Sequence, residues 1–72
     1  MNVSEYEYKI LKSIRKDMFK AIDRDGINKV YRQARIWNRL HHFYGKANTY
    51  QKYTFLNHKF KQARLEALAA IQ

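Results

Sequence analysis

Arg32, Arg35 and Arg39 recur at intervals of three and four residues, the spacing that lines side chains along one face of an α-helix. A guanidinium is a planar fork of donors that pairs bidentately with a phosphate or a base edge, where an ammonium acts only as a point charge. His42 extends the same stepping and adds a titratable donor to that face. No carboxylate opposes it: the forty residues between Asp25 and Glu66 hold nine Lys/Arg, all three histidines and not one acid. The first twenty-five residues carry six basic and five acidic side chains, so nearly all of the formal net charge of +9 lies beyond them. A row of arginines without acids repels itself, and an anion relieves that repulsion. Eight of the eleven aromatic residues fall between Tyr31 and Phe60, and Phe43 and Phe55 lie off the main apolar stripes, where a ring beside a cation can stack on a base. Phe55, Leu65 and Leu68 would serve equally well as a second apolar surface for a protein partner.

Chemistry that needs a catalytic group finds little to work with. Ser4 and Ser13 have no histidine near them in sequence, no glycine-rich loop could cradle a phosphate, and the acid pairs Glu5/Glu7 and Asp23/Asp25 sit at element ends, where helix dipoles and turns account for them. Asp23-Arg24-Asp25-Gly26 resembles the middle of a calcium loop. With Gly26 at the sixth position, however, the first and twelfth ligands would be Ala21 and Arg32, which cannot supply carboxylates. His41, His42 and His58 lack any metal-ligand spacing, and the chain has no cysteine. No metal and no cofactor is expected. His41 reads as a partly buried core residue.

The elements that must position these groups are helices. There is no proline, and the two glycines, Gly26 and Gly45, separate three stretches of helical periodicity. In the first, Ile10, Leu11, Ile14, Met18, Ala21 and Ile22 share one face with Lys9, Lys12, Lys16 and Lys20 opposite. Ser4 with Glu7 resembles a capping box and Asp23-Arg24-Asp25-Gly26 a C-terminal stop, which predicts a helix over about 4–23. In the second, Ile27, Val30, Ala34, Trp37, His41 and Tyr44 form the apolar stripe, Asn28 offers an N-cap and Gly45 a C-terminal stop, which predicts about 28–44. In the third, capped by Asn48 or Thr49, the stripe Tyr53, Leu56, Phe60, Ala63, Ala67 and Ile71 predicts about 49–70.

The expected architecture is therefore all-α: one domain over 1–72, a three-helix bundle running up-down-up. Its expected core is Ile10, Ile14, Met18, Ile22, Val30, Ala34, Trp37, Leu56, Phe60 and Ala63. The linker between the second and third helices is slightly long for a helix-turn-helix and the helices outrun that motif, so a long helical hairpin fits better. A core this small rarely supplies more than about 3–5 kcal/mol, which leaves room for a homodimer. The first helix is basic and amphipathic, but the core needs its apolar face, so a membrane surface is the weaker partner. No leader or membrane span is expected either, and the expected location is the cytoplasm. The leading expectation is a non-enzymatic nucleic-acid-binding protein, with DNA and RNA both open. Arg32, Arg35, Arg39 and His42 would make the contacts, Lys46, Lys52 and Lys59 would add attraction, and Phe43, Tyr50 and Phe55 would stack. The alternative is a small accessory protein that modulates a larger one by presenting the same basic and aromatic surface to an acidic partner.

Overall fold

The computed structural model describes residues 5–44 and 50–71. It consists of three helices, α1 (Glu5–Lys20), α2 (Arg24–Tyr44) and α3 (Tyr50–Ala70), with no strand among the described residues. Two adjoining clusters fill the space between them. Met18, Ile27, Ala63 and Ala67 are buried at one level, and Ala34, Leu56 and Phe60 at the next. Going from the first level to the second, the chain number falls in α1 (Met18 to Leu11), rises in α2 (Ile27 to Ala34) and falls in α3 (Ala67 to Leu56). α2 is thus antiparallel to both neighbours, as in an up-down-up bundle. Three buried alanines, Ala34, Ala63 and Ala67, let the helices approach closely, while Phe60, Met18, Ile27 and Leu56 supply the volume. A helix of 21 residues is about 31 Å long, so α2 and α3 set the long dimension of 38 Å.

The first two helix boundaries differ from expectation, for one reason. Asp23 does not help to end α1; it starts α2. Its carboxylate Oδ1 accepts the Gly26 N–H at 2.7 Å and its carbonyl accepts the Ile27 N–H at 3.2 Å, the two bonds of an N-cap. α1 has already closed at Lys20, with the Ala21 N–H donating back to the Met18 carbonyl at 3.2 Å. Gly26 is therefore inside the first turn of α2 and is not a stop. A Cβ there would lie 3.1 Å from both the Ala21 Cβ and the Asp23 Oδ1, so a side chain at this position would crowd the turn by a few tenths of an ångström. Asn28, expected to cap α2, is one turn inside it. The Ser4 half of the expected capping box and the expected stops and caps at Gly45, Asn48 and Thr49 lie outside the described residues.

The core list also shifts. Met18, Ala34, Leu56, Phe60 and Ala63 are buried as expected. Ile22 is 91% exposed because the helix ends before it. Ile14, Val30 and Trp37 are half-buried and pack against the two clusters as expected, whereas Ile10 is half-buried on α1 without joining either. Ile10, Ile14, Val30 and Trp37 also line a shallow groove between α1 and α2 with Ser13, Asp17, Gln33 and Ala34. Asn38 takes the buried place on α2 that the apolar stripe had given to its neighbours. Its Nδ2 donates to the Tyr53 carbonyl at 2.9 Å and to Asn57 Oδ1 at 3.0 Å, tying α2 to α3.

Truncating Phe60 to Ala should cost about 3–5 kcal/mol, comparable to the whole stability of a core this small. Far-UV circular dichroism of Phe60→Ala is expected to show a largely unfolded chain at 25 °C. Asp23→Ala, which removes only the cap, should cost about 0.5–2 kcal/mol and move the urea midpoint while the chain stays folded.

Candidate functional site

Arg32, Arg35 and Arg39 are all exposed on α2, and the structure adds a fourth guanidinium from α3. The Arg64 Nε–H donates to Asn28 Oδ1 at 2.7 Å, which holds that side chain across the groove between α2 and α3. Its Cζ lies 5.3 Å from the centre of the Tyr31 ring, and the Arg35 Cζ lies 5.7 Å from the same ring. Both distances suit a cation over an aromatic face. Tyr31 thus gathers one arginine from each helix, and Arg32 and Arg64 line a common notch of about 410 Å³ with Asp25 and Asn28. Among the described residues the ion pair joins Arg15 to Glu66, and Arg32, Arg35, Arg39 and Arg64 take part in none.

The acid-free tract of the sequence is not wholly acid-free in space. Asp25, in the first turn of α2, lines the same notch as Arg32 and Arg64. Its carboxylate suits the positive end of the helix dipole there, but it lowers the potential at that end of the arginine row. The unopposed stretch therefore lies further along α2, from Arg35 to Arg39.

The other expected members of the site separate into three groups. His42 is not an exposed extension of the arginine row. It is half-buried and stacked on Tyr53, with ring centres 4.6 Å apart and planes at 21°. The rings of Phe43 and Tyr50 approach it at 5.1 and 5.9 Å, so the far end of the α2–α3 hairpin is an aromatic cluster centred on His42. Phe43 and Tyr50 themselves stay exposed. Lys52, Phe55 and Lys59 form the second group. All three are half-buried, and Lys59 Nζ sits 5.5 Å from the centre of the Phe55 ring. They share a helical edge with Glu66, which pairs with Arg15 of α1, so this edge faces α1 and not the arginine row. Phe55 is accordingly not the free stacking ring that its position off the stripe suggested. Lys46 makes the third group, outside the described residues.

Nothing in the sequence assigns Arg64 or Tyr31 to the site, and it suggests Asn28 only as a helix cap. On α2 the edge facing α3 runs Asn28, Tyr31, Arg35, Asn38, His42, and on α3 the answering edge runs Tyr53, Asn57, Phe60, Arg64. Each edge has helical spacing, but only the antiparallel pairing brings the two rows together. His41 packs against Trp37 with ring centres 4.0 Å apart and planes tilted by 36°, and His58 is exposed on α3. Among the described residues no group of three or more His, Cys, Asp or Glu could hold a metal, and no helix is long and apolar enough to cross a membrane.

What fold and site define together is a small, strongly basic three-helix bundle with an arginine-lined groove between two of its helices. No family model, curated protein or solved structure matches the chain.

The different environments of two neighbouring basic residues can be checked directly. His42→Ala should lower stability by about 0.5–1.5 kcal/mol through the lost ring stacking. Arg39→Ala, at an exposed position, should stay within about 0.5 kcal/mol of the parent. Urea unfolding of both variants reads the difference.

Proposed function

We propose that this chain is a non-enzymatic nucleic-acid-binding module whose contact surface is the arginine face of α2 extended by Arg64 of α3. The observation that carries this reading is the meeting of Arg35 and Arg64 at the Tyr31 ring beside Arg32, with no described carboxylate ion-paired to any of them. Guanidinium groups held by a ring and by Asn28 lose little freedom when a phosphate arrives, and their remaining donors can take phosphate oxygens or base edges. Arg39 continues the row toward the hairpin end, where the exposed rings of Phe43 and Tyr50 offer stacking for unpaired bases. Lys52 and Lys59, on the α1-facing edge, act at longer range by raising the local potential and not by direct contact. On this reading the protein works in the cytoplasm with its nucleic acid.

Fluorescence anisotropy with labelled duplex DNA, single-stranded DNA and structured RNA, each at several salt concentrations, tests it. On duplex DNA the salt slope falls by about 0.9 for each phosphate contact removed. Arg35→Ala/Arg64→Ala should therefore weaken binding at least about tenfold and flatten that slope by about 1.8. Unchanged affinity in this double variant would overturn the assignment of the face. Asp25→Asn, which removes the one carboxylate in the notch, should tighten binding about two- to threefold at low salt.

A further inference from the structure

The arginine row accounts for only one side of α2. Ile36, Leu40 and Phe43 follow one another at steps of four and three, so they form a single stripe on the helix, and they are 57%, 49% and 69% exposed. None of them belongs to either core cluster. Lys29 and Arg32 continue the stripe toward the helix N-terminus, and Arg39 flanks it, all three exposed. The nucleic-acid reading uses Phe43 for stacking and Arg32 and Arg39 for phosphates, but it assigns nothing to Ile36 and Leu40.

We infer that the outward stripe of α2 is a docking surface for an acidic amphipathic helix of another protein. The partner would lay apolar residues at i, i+4 and i+7 on Ile36, Leu40 and Phe43 and direct carboxylates at Lys29, Arg32 and Arg39. Charge complementarity selects this occupant. From Gly26 to Tyr44 α2 contains no acid, so a second copy docked through the same stripe would set cations against cations. An aliphatic strip rimmed by cations is the complement of a helix with an apolar face and acidic edges. The inference does not depend on the nucleic-acid reading, since Ile36 and Leu40 take no part in that reading, although the two surfaces share Arg32, Arg39 and Phe43.

The test uses a synthetic helical peptide of about 16 residues, four turns, with Leu at the i, i+4 and i+7 positions of a Glu/Ala background, and a scrambled peptide of identical composition. Isothermal titration calorimetry with the full chain should give affinity at least about tenfold higher for the patterned peptide than for the scramble, the gap expected for a few buried methylene groups. Ile36→Ser/Leu40→Ser should erase that advantage while far-UV circular dichroism stays that of the parent. Duplex DNA affinity in the same variant should stay within about twofold, since no phosphate contact is removed. Equal binding of both peptides would show that charge alone acts, and would overturn the proposal. So would dimerisation of the parent chain that the double variant abolishes, which would make a second copy the occupant, or loss of DNA binding in that variant, which would give the stripe to nucleic acid. A parent chain that binds the patterned peptide but no nucleic acid would sustain this inference and remove the one before it.

Discussion

A single buried amide sets the register of the bundle. Asn38 is fully buried, and its two N–H groups go to α3, one to the Tyr53 carbonyl and one to Asn57 Oδ1. A buried donor without an acceptor costs about 1–3 kcal/mol, a large part of the stability available to a core of this size. Sliding α2 against α3 by one turn would strand both donors. The alanines at the interface resist such a slide only weakly, and Phe60 and Leu56 add the resistance of large buried side chains. The amide therefore adds to the specificity of the apolar contacts, a role known for polar residues in helical seams. The groove depends on it as well: the register that pairs Asn38 with Asn57 is the one that places Arg64 against Asn28 and Tyr31, and His42 against Tyr53.

The bundle was legible in the sequence because its signals are local. Stripes such as Ile14 with Met18, or Leu56 with Phe60 and Ala63, declare a helix and its buried face without reference to any other part of the chain. What misled was a residue with two roles. Aspartate before glycine suits a turn that ends a helix, but it equally suits an N-cap, and only the bonds from the Gly26 and Ile27 N–H groups to Asp23 show which role it takes. Asn38 was invisible for a related reason. A polar residue looks like surface until a partner is known, and its partners lie fifteen and nineteen positions away.

The candidate site was legible only as composition. The arginine row and the acid-free tract follow from counting, yet their assembly in space does not. Spacing along one helix shows which residues share a face, not which neighbour that face meets. So His42, one step beyond Arg39 in the pattern, turned out to lie under Tyr53, while Lys52, Phe55 and Lys59 fell to the edge of α3 that looks toward α1. The exposed surface of α2 accordingly carries two chemistries side by side, guanidinium groups around Tyr31 and aliphatic groups at Ile36 and Leu40.

The Asp23 cap also bears on how quickly the chain finds this structure. Only residues 21–23 separate α1 from α2, and the capping bonds span three and four positions, so the first two helices can close on one another with little loss of chain entropy. Helical domains whose contacts are mostly local fold in microseconds to milliseconds. The short turn lowers the entropic cost of pairing α1 with α2, and docking α3 then requires the one alignment that satisfies Asn38. The turn thus brings the first two helices together at little entropic cost, while the amide fixes the alignment of the third.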